Sequence, residues 1–512
     1  MPTSVPHSAD SSQLLPWIAQ ATAFTAVVGM LIVLGGMALR ISYPYELEWM
    51  EGGVLAHIAR VRAGEPIYVR PSSQFVPFIY PPLYYVLGAA ASWFTGEGFL
   101  GPRLVSVLAF LGQLGLIFRF VQRETDDRLA ALCAAGFYTV TYDVTGRWFD
   151  VARVDNLLPL LVLAAAYLLR FRQTWRSAAV AGLLIAAAFF AKQSALVFAG
   201  PLLVYCLIWQ TRRLPALVLA SALPAALGWW WLHATSDGWF TYYIFTLPKQ
   251  HPIAADSHWR FWVWEMLGNV PYALGLVGLL VFLGWRRRHD CPKPSIGFYA
   301  LLGIGGLATS YMSRLHTGAH ANVLLPVFAV LAILAGLAVA LLPRLTAREE
   351  GVHPAPQGQA RAMVLLATLL QMVALIGNPL AWIPSAADRR AGDTLVATIE
   401  QVPGRVLVPS APYLAVKAGK PGHAHMMAVA DILRAEGSEP LRRDLRRQLR
   451  EQLHDPRTEA LLLFDDRGQF YDMPLPEVFR DCGPIVEPPL FRPKSGVPQF
   501  APVYWYGKPN CP

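Results

Sequence analysis

The sequence predicts an all-α polytopic membrane protein of about 11 transmembrane helices, with interfacial helices in the first external loop and a small C-terminal α/β soluble domain. Three observations lead there. Of the 512 residues, 54% are hydrophobic and only 15% charged, against roughly 25% charged in a soluble globular protein, which excludes an ordinary soluble enzyme or nucleic-acid binder. The charge is also uneven, because 33 of the 77 Lys, Arg, Asp and Glu residues fall in 385–512. Elsewhere the arginines sit in short clusters between apolar runs, a pattern of membrane topology rather than of a phosphate-binding face.

A hydrocarbon core of about 30 Å needs about 20 apolar residues. This selects runs near 17–39, 99–120, 128–146, 155–170, 176–190, 194–209, 214–232, 267–285, 297–312, 322–342 and 362–383. The first Lys or Arg is Arg40, so the first run lacks a basic leader and is expected to be an uncleaved helix rather than a signal peptide. Clusters at Arg119/Arg123/Arg128, Arg170/Arg172/Arg176, Arg212/Arg213, Arg286–Arg288 and Arg344/Arg348 follow every second span, as cytoplasmic loops do. The opposite side then receives 147–154, 191–193, 233–266, 313–321 and everything after Trp382.

A twelfth apolar stretch, 79–95, decides the side of loop 41–98. Local charge at Arg40, Arg60, Arg62 and Arg70 favours a crossing there. Its shortness, its opening Pro81-Pro82 and its Tyr80, Tyr84, Tyr85 and Trp93 favour a helix at headgroup level, which is the layout expected here. The N-terminus is then cytoplasmic, 1–384 forms the transmembrane domain with 41–98 as an external acidic loop, and 385–512 forms the extracytoplasmic domain.

In that acidic loop, Glu46, Glu48 and Glu51 lie within six residues. A carboxylate near a low-dielectric boundary acquires a raised pKa and can serve as a general base; simple solvation of an interfacial loop is the competing reading. A second external patch runs from Gly146 to Asn156 and holds Arg147, Asp150, Arg153 and Asp155. Charges at a membrane edge pair with each other or bind something: either Arg153 clamps Asp150 or Asp155, or the arginines meet a phosphate while the aspartates meet sugar hydroxyls. Lys192 stands between two apolar runs, where it either snorkels or faces a polar cavity. His316 and His320 are four apart, as metal ligands on a helix can be, but Gly318 lies between them and no HExxH glutamate is present, so hydrogen bonding to ligand or backbone is expected and no metal site is assigned. The aromatic-rich segment 233–266 suits an interfacial belt or a lid.

The order of a first span, an acidic motif, Tyr80-Pro81-Pro82-Leu83 opening an interfacial helix and Gly101-Pro102-Arg103 opening the next span resembles the GT-C glycosyltransferases that use polyprenyl-phosphate sugars, the protein O-mannosyltransferases and lipid A aminoarabinose transferases among them. The resemblance covers roughly 17–340. It implies donor-phosphate ligands at Arg103, Lys192, Arg314 and Arg153, and sugar or acceptor contacts at Asp150, Asp155, Tyr80, His316 and Asn322, the last two within Ser313–Pro326. The family's Asp-Glu pair is replaced by Glu46-Leu47-Glu48-Trp49-Met50-Glu51, so the base is ordered Glu48, then Glu51, then Glu46, although the helix periodicity aligns Glu51 with the family's Glu.

The function that follows is an inverting transfer of a sugar from a polyprenyl-phosphate donor to a lipid, glycan or protein hydroxyl on the extracytoplasmic face of the cell membrane. No cofactor is required by the sequence, and a divalent cation stays open. A transporter or flippase of a lipid-linked sugar is the rival; it would show internal repeats and mid-membrane charges. A structural scaffold comes third. In 385–512, the runs Arg405–Val408 and Ala460–Phe464 read as strands and Asp431–Leu453 as an amphipathic helix; Asp465-Asp466 reads as a strand-end turn. Cys482 and Cys511 can pair if this domain is exported.

Overall fold

The computed structural model describes residues 11–287, 292–347, 354–465, 467–471, 473–487, 490–508 and 511. Arg288, Arg348 and Asp466 lie outside the described residues. Helices occupy each of the eleven expected positions: α1 (Ser11–Arg40), α4 (Leu100–Thr125), α5 (Arg128–Val140), α6 (Leu157–Phe171), α7 (Trp175–Ala191), α8 (Ala195–Trp209), α9 (Leu214–Thr235), then Pro271–Arg286, Lys293–Arg314, Leu325–Ala347 and Pro354–Leu375. Seven of the described helices are long and apolar enough to cross a membrane by themselves, or eight if Asp256–Gly268 and Pro271–Arg286, bent by 91°, form one span; α5, α7 and α8 are shorter. The helix at Leu325–Ala347 is apolar and buried over most of its circumference, and α4, α5, Pro271–Arg286, Lys293–Arg314 and Pro354–Leu375 pack against it.

Between α1 and α4, the first loop forms α2 (Glu51–Arg62) and α3 (Leu83–Thr95). At 1.5 Å per residue the 13 residues of α3 span about 20 Å, short of the hydrocarbon core. α3 packs on α2 and α4 and turns Trp93 and Phe94 outward. The run expected as a span to 146 ends at Val140, and 141–153 is irregular but buried. Side-chain bonds from Asn156 to the carbonyls of Trp148 and Phe149, at 3.1 and 2.8 Å, hold that segment without secondary structure. Segment 233–266 is not an open loop either, since short α and wide π turns fill Trp239–Lys249 and Asp256–Gly268.

The arginine clusters expected on one side meet at one end of the bundle. Arg170 pairs with Glu124 at 2.5 Å and Arg361 with Asp127 at 2.8 Å, and Arg213 donates to the Arg172 carbonyl.

After Trp382, the helix Ala386–Gln401 starts with a Ser385/Asp388 capping box. It leads to a four-stranded mixed sheet of order β1-β2-β6-β5: β1 (Arg405–Leu407), β2 (Thr458–Leu463), β5 (Arg480–Pro484) and β6 (Tyr504–Gly507). β1 and β2 are parallel and the other pairings antiparallel; β3 (Gln469–Phe470) and β4 (Met473–Pro474) form a separate hairpin. The single helix expected over 431–453 is two, Met426–Leu433 and Glu439–His454, because Gly437-Ser438 breaks the run and Pro440 starts the second helix. A disulfide joins Cys482 to Cys511.

Candidate active site

At the end of the bundle away from those clusters, the acidic loop, segment 141–156, the α7–α8 turn and residues 313–322 converge. Glu51 opens α2, where a carboxylate is favoured by the helix dipole. Its two oxygens accept from Arg103 Nε at 2.9 Å and Nη2 at 2.6 Å, and from the amides of Ala152 and Leu47, both at 2.6 Å. The remaining N–H groups of Arg103 go to the carbonyls of Ile41, Tyr43 and Tyr45. Both side chains are fully buried. Burial opposes ionisation of Glu51, but the Arg103 charge and these bonds outweigh it and hold the carboxyl below its ordinary range.

The expectations that Arg103 meets a donor phosphate and that Glu51 is an available base are therefore corrected. Every donor of Arg103 is used inside the chain, and the pair is the anchor that pins the loop to α4. Glu46 is separate again: its Oε1 caps the Gly52 amide at 2.9 Å, and burial followed by the like charge of Glu51 raises it well above the carboxylate range. Gly52 is required here, since a Cβ would lie 2.1 Å from Glu46 Oε1 and 2.7 Å from Tyr413 Cβ.

Glu48 differs from both. Its Oε2 takes Arg153 Nη1 at 3.0 Å and the Met50 amide at 3.2 Å, while Oε1 is buried and has no hydrogen-bond partner. Burial raises its pKa to about 7, against the pull of Arg153 and with the push of Glu51. From Arg153 the network continues: Nε lies 3.8 Å from Asp155 Oδ2, and Asp155 Oδ1 binds Lys192 Nζ at 2.7 Å and Asn322 Nδ2 at 2.9 Å. The Tyr80 hydroxyl lies 3.4 Å from Arg153 Nη2, and the Lys192 ammonium sits 5.8 Å from the centre of its ring. Gln193 Oε1 and Ser194 Oγ, next to Lys192, are buried without hydrogen-bond partners.

Glu48, Arg153, Asp155, Lys192, Asn322 and Tyr80 thus form one cluster of alternating charge, drawn from five parts of the chain. Four candidates stand apart. Asp150 is bound by Arg40 Nε at 2.9 Å and the Tyr142 hydroxyl at 3.0 Å. It is a buried clamp rather than a sugar ligand. Arg147 faces Asp143 at 3.4 Å. Arg314 is taken by Glu265 at 2.7 Å and by the Ala319 carbonyl. His316 lies past the end of its helix and bonds His251 at 2.9 Å, so the helical metal-ligand spacing does not arise. Burial pushes His251 and His320 down to about 4, leaving both imidazoles neutral at pH 7. Among the described residues no three His, Cys, Asp or Glu side chains converge, and the position between Glu48 and Asp155 is filled by the Arg153 guanidinium.

Sequence reasoning missed two parts of this site. Arg40, at the end of α1, is buried, bonds the Trp382 carbonyl at 2.9 Å and also holds Ser495. Ser495 and Gly496 lay a strap from the C-terminal region across the loop, their amides donating to the carbonyls of Leu47 at 2.8 Å and Gly146 at 3.0 Å. Gly496 has φ +67°, and a Cβ there would stand 3.0 Å from both Glu48 Cγ and Trp148 Cζ2. Any side chain there would be strained by the left-handed backbone and would press on Glu48 and Trp148, so glycine is favoured over the carboxylate. An arginine ending a span was a visible signal; nothing local in Lys494-Ser495-Gly496 pointed to Glu48.

No family model matches the sequence, and no curated protein does. Comparison with solved structures shows a shared fold, with two membrane transferases of the kind the sequence resemblance implied. ArnT from Cupriavidus metallidurans bound to undecaprenyl phosphate matches at a TM-score of 0.51 and 14% identity, covering 78% of this chain and 85% of its own. The Archaeoglobus fulgidus oligosaccharyltransferase in complex with zinc and sulfate matches at 0.51 and 13%, covering 86% and 67%. At such identities the likeness is one of fold.

Proposed function

We propose that this multi-pass membrane protein is a glycosyltransferase that moves a sugar from a polyprenyl-phosphate donor to an acceptor hydroxyl on the extracytoplasmic face, with Glu48 as general base. The observation that carries this reading is a buried carboxylate with one free oxygen and a pKa near 7, joined through Arg153 and Asp155 to Lys192. Such a group is matched to proton abstraction at neutral pH. In the reaction, the acceptor O–H proton passes to Glu48 and the acceptor oxygen attacks the anomeric carbon. The bond from that carbon to the phosphate oxygen breaks, and its electron pair leaves with the lipid phosphate. A single displacement inverts the carbon. Lys192 and Arg153 face the charge that develops on the phosphate, Tyr80 and Asn322 line the sugar, and Asp155 fixes both cations. The strap at Ser495-Gly496 keeps water from the base.

The C. metallidurans neighbour's undecaprenyl phosphate supports a lipid-linked donor. In this reading 1–384 is the catalytic transmembrane domain and 385–512 an extracytoplasmic domain; the Cys482–Cys511 disulfide suits that side. The test is Glu48→Gln in full-length protein, assayed for release of undecaprenyl phosphate from undecaprenyl-phosphate sugars and, separately, for donor binding. Lost turnover with retained binding is expected; full turnover overturns the assignment. Sidedness is read from single cysteines at exposed Glu97 and Arg176, with the native cysteines replaced. An impermeant reagent added outside should label position 97 and spare 176. The opposite result would overturn the extracytoplasmic assignment of the site.

A further inference from the structure

Both peptide groups that flank Glu48 have their carbonyls held by the C-terminal region. The Leu47 carbonyl accepts from the Ser495 amide at 2.8 Å, and the Trp49 carbonyl accepts from His425 Nε2 at 3.0 Å. The second of these contacts reaches the carboxylate itself. A trans peptide is planar, with its C=O and N–H on opposite edges. The Trp49–Met50 peptide turns its oxygen to His425 and its N–H to Glu48 Oε2, at 3.2 Å. Fixing the oxygen therefore fixes the direction of that N–H, and a donor on the carbonyl polarises the amide and strengthens its own bond.

The tautomer of His425 follows from its other nitrogen. His425 caps the helix Met426–Leu433, and its Nδ1 accepts from the Met427 amide at 3.0 Å. An amide N–H can only donate, so Nδ1 carries no proton and Nε2 carries the one given to Trp49. The imidazole is buried, with the ring centres of Trp49 and Phe78 at 5.1 and 5.5 Å. Burial pushes its pKa down to about 3, against the Trp49 bond and with the push of Arg153, and keeps it neutral. Removing it therefore takes no charge from the site, where Arg153, Glu51 and Asp155 are the charged groups acting on Glu48.

We propose that His425 is a positioning residue for the base: through the Trp49–Met50 peptide it holds Oε2 of Glu48, and so leaves Oε1 as the oxygen free to take the acceptor proton. This rests on the reading of Glu48 as general base, and the experiment separates the two.

The two nitrogens of His425 can be removed one at a time. His425→Asn keeps an oxygen that caps Met427 and is too short to reach Trp49, whereas His425→Gln carries an amide nitrogen about as far out as Nε2 and gives up the cap. Glu48 is titrated by infrared difference spectroscopy in the full-length protein in nanodiscs, its carboxyl band identified by its absence in Glu48→Gln. Turnover is followed as release of undecaprenyl phosphate from undecaprenyl-phosphate sugars. Losing an amide donor to the charged form raises a carboxyl pKa, so in His425→Asn the Glu48 titration should move up from about 7 by about one pH unit. Its kcat should fall about tenfold, with KM for the donor within about twofold of wild type. His425→Gln should keep the wild-type titration and a kcat within about threefold. A role as helix cap alone gives the reverse order, with His425→Gln the damaged variant. Should His425→Asn not fold, His425→Ser caps the same helix, is shorter still and takes its place. A wild-type titration in these short variants, or a shift in His425→Gln as large as theirs, overturns the proposal. If the titration is wild type while Glu48→Gln is inactive, only the positioning role falls. The expected shifts in a protein that releases no undecaprenyl phosphate from any of these donors would leave His425 as the residue that sets Glu48 and remove the transfer reaction.

Discussion

Arginine–carboxylate pairs stand at both ends of the helix bundle, and water reaches one set but not the other. At the end with the arginine clusters, Glu124–Arg170 is 17% exposed on each side and Asp127–Arg361 is 9% and 33% exposed. At the other end, Glu51–Arg103, Arg40–Asp150 and Glu48–Arg153 are between 0 and 3% exposed. Exposed pairs gain little over their hydration and serve topology. Buried pairs have to be fully bonded, and any unbonded oxygen among them has a shifted proton affinity. The contrast repeats inside that second end. Glu51 has every oxygen satisfied and is held ionised, whereas Glu48 keeps one oxygen free and is poised near neutrality. Three carboxylates within six residues therefore have three different settings: an ion-paired anchor, an amide cap, and a carboxyl with a free oxygen, which is the proposed base.

The sharpest way to break this comparison is to remove the free oxygen's basicity. Glu48→Gln should lower kcat by about 10²–10⁴-fold, the range of general-base loss, and should cost less stability than removing Arg103, because the amide can still accept from Arg153, which also keeps Asp155 at 3.8 Å. Arg103→Ala should instead destabilise the fold by about 3–5 kcal/mol, because Glu51 becomes a buried unpaired charge; the measurement is thermal unfolding, and an unchanged midpoint would refute the anchor role. The pH profile sharpens the same contrast. A base with a folded pKa of about 7 must be deprotonated to act, so kcat/KM should rise through about pH 7 and fall tenfold per unit below it. Gly496→Ala should reduce turnover about tenfold, from a left-handed backbone position costing about 1–2 kcal/mol and contact with Glu48, and should shift that inflection. A loss of turnover with no shift would make the strap structural only. At the opposite end, Arg361→Ala should cost under about 1 kcal/mol and leave the pH profile unchanged.

Much of the fold was legible. Eleven apolar runs became eleven helices, the clusters at Arg119–Arg176 gathered at one end, and the two apolar runs of the C-terminal region became parallel neighbours β1 and β2. The site was legible only as an inventory. Glu48, Arg153, Asp155, Lys192, Asn322 and Tyr80 were all marked in advance, but so were Arg103, Asp150, Arg314 and His316, whose polar groups are bound elsewhere. Of the partners that bind them, Arg40 gave a signal by ending a span, whereas nothing at Glu265 or His251 in the chain pointed to Arg314 or His316.

The sequence by itself determined what depends on neighbours along the chain: which runs are apolar enough to leave water, which ends carry the positive charge, and where Gly-Ser and Pro-Pro interrupt a helix. These follow from transfer energies and backbone sterics summed over a few residues. Only the tertiary structure decided which carboxylate is neutralised and which keeps a free oxygen. That choice rests on guanidinium groups 52 and 105 residues away from their carboxylates, and on a glycine of the C-terminal region lying over Glu48. In a low-dielectric interior, the chemistry of a charged side chain is set by the groups packed within a few ångströms of it, not by those next to it in sequence.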